Sequence, residues 1–218
     1  MDNTVLGSHI DFAAIRRALG ATLRETGVTA QPDDALRRMA IGELVALGAA
    51  HDAAHGTDLV ASMWAVINAY ETEGLQDAAA LDRAADVLAT LRSRGYRVAI
   101  LTNNSRAGAT VALSAAGLGD AAETVVTRDD VASMKPAGDG AVEALRRLGE
   151  PQQAYVIGDS WIDGAAAAAA GARYIAYRRS ADELALHGVR PWRVIQHLEE
   201  LLDIDFEAPD RPAPLSRG

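Results

Sequence analysis

Apolar residues recur at helical spacing through the first third of the chain. Ile10, Ala14, Ile15 and Leu19 share one face, as do Leu36, Met39, Ala40, Leu44 and Leu47, and then Leu59, Met63, Val66, Ile67 and Tyr70. Intervals of three and four place such residues on one stripe of an α-helix. Thr29-Ala-Gln-Pro-Asp33 and His55-Gly-Thr-Asp58 interrupt the stripes with breaking and capping residues. No strand is expected between Ile10 and Leu75, so this stretch is predicted to be a compact helical module.

After Gly74 the pattern changes to alternation of helix and strand. Leu81–Arg94 is predicted as an amphipathic helix closed by Gly95, Tyr96–Leu101 as a strand, and Arg106–Ala116 as a helix closed by Gly117. Glu123–Val126 follows as a short strand, Ala141–Leu148 as a helix and Tyr155–Ile157 as a buried strand. Ala165–Ala170, low in complexity but suited to close packing on a sheet, is a helix closed by Gly171. Arg173–Tyr177 is the last strand expected, with helices around Asp182–His187 and Trp192–Leu202. Strands separated by helices imply right-handed crossovers and a parallel sheet, so the fold class is α/β, doubly wound. Met1 to Ser8 has the character of a strand-to-loop transition without its strand. Phe206–Gly218 holds three prolines and few apolar residues and is expected to fray.

Composition narrows the function. The 218 residues carry a net charge of −9, which argues against nucleic acid or an anionic membrane as a principal partner. No cysteine is present, so disulfides, thiolate metal sites and cysteine nucleophiles are excluded, in keeping with a cytoplasmic location. Residues 1–20 have no secretory pattern, and no apolar run is long enough to span a bilayer. Among 21 basic residues, Lys135 alone is lysine. A compact ammonium on a flexible stem suits a phosphate site, although a solvated surface lysine is the ordinary alternative.

Candidate chemistry gathers at predicted strand ends. Asp159 follows the strand that ends at Gly158, and Asp163 lies four residues on, where one helical turn returns it toward Asp159. Two carboxylates in the crevice beyond a parallel sheet suit a hard cation such as Mg²⁺; the competing explanation is helix capping. Thr102 and Asn103 stand where a strand gives way to a helix, an anion-binding corner, with Asn104 or Ser105 available as the cap. Lys135 opens a helix in Ser-Met-Lys-Pro-Ala-Gly, and Asp2-Asn3-Thr4 is an acidic turn. His51 and His55 have a metal-like i, i+4 spacing but no evident third ligand, and are expected to be a solvated or half-buried pair. Trp161 is expected to pack, and Arg16-Arg17, Arg37-Arg38 and Arg146-Arg147 to be solvated helix faces.

Taken in order, Asp2-Asn3-Thr4, Thr102-Asn103, Lys135-Pro136 and Gly158-Asp159-x-x-x-Asp163 resemble the motifs of the haloacid dehalogenase superfamily, in particular its phosphoglycolate-phosphatase-like branch. The resemblance covers about residues 1–202 and implies a Rossmann-like core (1–8 and 76–203), a helical cap (9–75) and a tail (204–218). It further implies a Mg²⁺-dependent phosphatase acting through an aspartyl-phosphate on a small phosphorylated metabolite, as monomer or homodimer. Asp2 would be the acid/base and offer its carbonyl to the metal. Thr102, Asn103 and Lys135 would hold the phosphoryl group, Asp159 would ligate Mg²⁺, and Asp163 would support the metal through water or orient Lys135. The motif's attacking aspartate would stand two residues before Asp2, so an upstream extension supplying it and a central strand is expected; the alternative is an inactive binding protein. A sugar phosphomutase shares the same chemistry. A dehalogenase would lack Asp2 and the Asp159/Asp163 pair, and a Schiff-base phosphonatase would need a cap lysine that is absent.

Overall fold

The computed structural model describes residues 1–206, and these divide into two compact units, His9–Asp77 and a second built from Met1–Ser8 together with the chain from Ala78 onward.

The unit at His9–Asp77 contains four helices: α1 (Phe12–Glu25), α2 (Asp33–Arg38), α3 (Ile41–His55) and α4 (Leu59–Gly74). Its core is the set of stripes visible in the sequence, with Ile15, Leu19 and Leu23 meeting Leu36, Leu44, Met63 and Ile67, all buried. Asp11 caps α1, its carboxylate accepting the Ala14 N–H at 2.7 Å. The Asp52 carboxylate accepts the N–H groups of Leu59 and Val60, both at 2.9 Å, which satisfies the free amides at the start of α4. The unit closes on itself where His9 N–H donates to Gly74 O at 2.8 Å. A Cβ on Gly74 would lie 2.5 Å from the Ile10 backbone, so only glycine allows that approach.

The other unit starts with β1 (Leu6–Gly7), which pairs antiparallel with β2 (Ala79–Ala80) in the register Leu6↔Ala80 and Gly7↔Ala79. It continues through α5 (Ala84–Ser93), β3 (Ala99–Leu101), α6 (Arg106–Ala115), β4 (Thr124–Val126), α7 (Asp139–Arg147), β5 (Tyr155–Gly158), α8 (Trp161–Ala169), β6 (Arg173–Tyr177), α9 (Ala181–Ala185) and β7 (Arg193–Ile195). The parallel strands form two pieces, β3-β4 and β5-β6-β7. Helices alternate with these strands, which is the expected doubly wound α/β arrangement.

Three expectations need correction. Trp192–Leu202 is not a helix: Trp192 N–H donates to Tyr174 O at 2.7 Å, Arg193–Ile195 pairs with β6, and only Leu198–Asp203 turns, as a 3₁₀ segment. The preceding Pro191 and the β-branched Val194 and Ile195 suit a strand, and an open edge of β6 was there to receive one. The helix expected from Leu81 begins at Ala84, because Asp82 and Arg83 adopt left-handed backbone at φ 41° and 54°. The tail expected from residue 204 does not fray at its start. Phe206 is buried, with its ring centroid 4.8 Å from that of Tyr155 and 5.2 Å from that of Tyr96, while residues 207–218 lie outside the described residues. Among the described residues no helix is long and apolar enough to cross a membrane.

Candidate active site

The corner after β5 depends on a missing side chain. A Cβ on Gly158 would fall 2.4 Å from the Asp163 carboxyl group, so glycine there lets α8 start directly over the strand end. Ser160 N–H donates to Asp163 Oδ2 at 3.2 Å, the reciprocal half of a capping box. Capping and chemistry are therefore both served, because Asp163 Oδ1 takes the Lys135 ammonium at 2.6 Å. Both residues are 7% exposed. The chain's one lysine is thus a buried charge with a partner, and the surface alternative is removed. Removing one member of such a pair costs about 3–5 kcal/mol, because the other charge is left uncompensated.

At the end of β3, Thr102 extends the ladder, its N–H donating to Val126 O at 2.9 Å. Its hydroxyl oxygen accepts the Asn104 N–H at 3.1 Å, which leaves the hydroxyl proton for another acceptor. Asn103 differs from expectation. Its amide donates to Lys135 O and accepts the Lys135 N–H, each at 3.0 Å. The side chain expected to grip a phosphoryl group is instead a strut fixing the lysine loop. Ser105 is the cap of α6, accepting the Gly108 N–H at 3.2 Å. That frees Asn104, 2% exposed, whose side-chain N–H donates to Asp2 Oδ2 at 2.9 Å.

Asp2 sits in a tight turn in which the N–H groups of Thr4, Val5 and Leu6 converge on Met1 O at 3.2, 3.0 and 3.2 Å. Asn3 takes a left-handed φ of 54°, which asparagine tolerates better than most residues. The turn presents Thr4 to the β5 corner, where its hydroxyl donates to Asp159 Oδ1 at 3.1 Å. Asn103, Lys135 and Asp163 are thereby bonded in series, Thr102 and Asp2 are linked through Asn104, and Asp159 is tied to the Asp2 turn through Thr4. Thr4 and Asn104 belong to the same cluster; the sequence marks Thr4 only as part of the acidic turn and Asn104 only as a possible helix cap, a role that Ser105 fills. Each stands in a run of small polar residues in which any member can cap or turn, so only the geometry distinguishes them.

The cluster has the electrostatics of a cation site. Burial, and then the neighbouring Asp163 charge, raise the Asp159 carboxyl above its ordinary range, with the Met1 amino group and the Thr4 hydroxyl opposing. Asp2 Oδ1 is buried with no hydrogen-bond partner. Both features suit a positive ion beside hard oxygen donors. Among the described residues no group of three or more His, Cys, Asp or Glu side chains closes on a metal position. One or two carboxylates plus water and phosphate is the pattern Mg²⁺ favours, whereas Ca²⁺ takes more protein oxygens. The chemistry of these oxygen donors fits Mg²⁺, and Asp159 and Asp2 are the residues that would hold it.

The remaining candidates are structural. His51 and His55 stack at 4.2 Å between ring centroids on α3, with His55 Nδ1 3.0 Å from His51 O. Trp161 stacks on His187 at 4.9 Å and packs against the cluster around Tyr174 and Leu184. Arg147 is a correction: it is half-buried and bonds Asp130 at 2.8 Å, Glu143 at 2.7 Å and Val125 O at 3.1 Å, bracing the loop after β4.

Comparison with known proteins identifies the family. The family described as haloacid dehalogenase-like hydrolase matches residues 1–171. A plasmid-borne phosphoglycolate phosphatase of Cupriavidus necator is 42% identical over 85 residues, 38% of this chain and 37% of that protein. Pyrophosphatase PpaX of Bacillus pumilus is 33% identical over 122 residues, 55% and 56% of the two chains. The chain thus matches about a third to about half of the length of these relatives. A hydrolase from Pseudomonas syringae superposes with a TM-score of 0.66 at 25% identity, covering 93% of each chain. A HAD family hydrolase from Deinococcus radiodurans, with phosphate and sodium bound, gives 0.57 at 24% identity over 92% and 90%.

Proposed function

The chain belongs to the haloacid dehalogenase-like hydrolases, and from that footing we propose a Mg²⁺-dependent phosphatase that acts on a small phosphate compound through an aspartyl-phosphate. The observation that carries this reading is the convergence of Asp2, Thr102, Lys135 and Asp159, with Asp2 Oδ1 buried and unpartnered. Phosphoryl transfer asks little covalent chemistry of a protein beyond a nucleophile. It needs in-line positioning and neutralisation of the equatorial oxygens.

Each residue present has a task in that scheme. The Thr102 hydroxyl donates to a phosphoryl oxygen, joined by main-chain N–H groups at the β3–α6 corner. Lys135, held straight by Asp163 and by the Asn103 strut, offsets the charge that accumulates between nucleophile and phosphate. Asp2, with one oxygen fixed by Asn104, uses the other to protonate the leaving oxygen and later to take a proton from water. Mg²⁺, when bound by Asp159 and the Asp2 carbonyl, supplies further neutralisation of the phosphoryl oxygens. Asp163, with both oxygens already accepting protein donors, serves as the orienter of Lys135. The names of the relatives favour phosphoglycolate and inorganic pyrophosphate as the first compounds to try, and a metabolite of that size and charge is the proposed partner.

The attacking aspartate of this scheme would stand two positions ahead of Asp2. The experiment therefore follows phosphate release from phosphoglycolate and pyrophosphate with Mg²⁺, using a chain extended to carry an aspartate two positions ahead of Asp2. The extended chain is expected to turn over and to lose that activity in Asp2→Asn and Asp159→Asn. Activity that survives Asp159→Asn would overturn the scheme.

A second reading is a phosphate-binding protein without turnover. Failure of the extended chain to hydrolyse any small phosphate ester would select it.

A further inference from the structure

The three successive carbonyl groups around Asp159 are each held from the neighbouring strand or from the loop that follows it. The Tyr174 hydroxyl lies 2.9 Å from Gly158 O and 3.0 Å from Ser160 O. A phenol has one proton, so it is shared between the two carbonyls on either side of Asp159. The middle carbonyl, Asp159 O, accepts from Arg179 Nε at 3.0 Å. Tyr174 is 4% exposed and reaches the corner from a position in β6 whose register partner is Val156, two residues before Gly158. The path is cleared by Gly164: a Cβ there would lie 2.8 and 2.9 Å from Cδ1 and Cε1 of the Tyr174 ring. A small residue in α8 and a long phenol in β6 are thus matched so that one hydroxyl arrives at one turn.

Ordinary burial does not account for this placement. A phenylalanine at position 174 would fill the same space, and a single hydrogen bond would satisfy the hydroxyl. Asp159 and Asp163 repel one another across the turn, and the chain has just left the ladder of β5. Fixing carbonyls 158, 159 and 160 fixes the direction in which the Asp159 side chain leaves the backbone.

We infer that Tyr174 and Arg179 are positioning residues that hold the Asp159 carboxylate in its metal-binding orientation. This rests on the assignment of Asp159 as a metal ligand made above. Outer partners of a ligating group ordinarily contribute about 10- to 100-fold in metal affinity, because an unheld ligand must be ordered each time the ion binds.

The test uses the full chain with Mn²⁺ as a spectroscopic stand-in for Mg²⁺, titrated by electron paramagnetic resonance, and compares Tyr174→Phe, Arg179→Gln and Asp159→Asn. Thermal unfolding in the presence of a chelator is measured alongside. Tyr174→Phe and Arg179→Gln should each weaken Mn²⁺ binding by about tenfold or more, and Asp159→Asn should abolish it. Arg179 is exposed, so its variant should unfold at the same temperature as the parent under chelation and still bind more weakly, which a purely structural role would not produce. If Tyr174→Phe fails to fold, Arg179→Gln decides. Parent-like affinity in Arg179→Gln and in folded Tyr174→Phe, with Asp159→Asn inactive in binding, would overturn the positioning role alone. Parent-like binding by Asp159→Asn, or none by the parent chain, would overturn the metal assignment and this inference with it.

Discussion

The Lys135–Asp163 pair shows how one contact can serve both stability and chemistry, and the two can be separated by substitution. Lys135→Met leaves Asp163 ionised and almost fully buried, so a loss of about 3–5 kcal/mol in denaturant unfolding is expected. Adding Asp163→Asn removes the orphaned charge. The double variant should recover a large part of that loss while still failing to bind phosphate, and a double-mutant cycle isolates the coupling. Full recovery of phosphate binding in the double variant would mean that the ammonium has no part in holding the anion. At this scale the sequence was informative where a residue type was rare or its position unusual. A lone lysine and two aspartates four apart after a short apolar run were visible, whereas Asn104 and Thr4 were hidden among interchangeable polar neighbours. Asn103 was read as a phosphate ligand because its position suggested it, but its hydrogen-bond partners lie 32 residues away. No local pattern reveals a partner that distant.

Elements are positioned here by what glycine leaves out. Gly158→Ala places a methyl group 2.4 Å from the Asp163 carboxyl, so α8 must shift, and with it the Lys135 partner. Phosphate and metal binding should both fall while the rest of the fold survives, as read by titration and circular dichroism. Gly164→Ala places its methyl 2.3 Å from Val189 Cγ1 as well as against the Tyr174 ring. Overpacking of this kind costs about 1–3 kcal/mol, and an unchanged denaturation midpoint would show that the α8–β6 contact is looser than described. Long periodic helices were legible before any coordinates, as the buried Ile15, Leu19, Leu44, Met63 and Ile67 show. The two-residue strands β1 and β2 were not, because two positions carry no alternation to read. β7 was misjudged for a related reason: a three-residue strand followed by a 3₁₀ turn has nearly the apolar spacing of a short helix, and the partner strand decides the outcome.

For the molecule as a whole, alkaline pH probes the packed sheet. Burial, followed by the Asp82 hydrogen bond and charge, pushes the Tyr177 phenol up to about 12 from 10.0. Between those values the unfolded chain has released a proton that the folded chain keeps, so stability falls as pH rises through the window. Tyr174 is shifted in the same direction, by burial and then by Asp163 and Asp159. Tyr177→Phe should flatten the decline measured by denaturant unfolding between about pH 10 and 12, and an unaltered slope would place the titrating group elsewhere. The helical unit ends at Asp77, close to where the sequence switches abruptly from a 3.6-residue to an alternating pattern.

That crossing has an engineering consequence. Gly7 and Ala79 are register partners, so the chain departs and returns through neighbouring points of one small ribbon. Excision of residues 8–78 and closure with Asn-Gly would make a tight hairpin from the existing strands. Every member of the phosphate-side cluster lies outside the excised span, so the miniature should still broaden the phosphorus resonance of added phosphate. What occupies the excised span keeps its own buried core and its own closing bond, His9 N–H to Gly74 O at 2.8 Å.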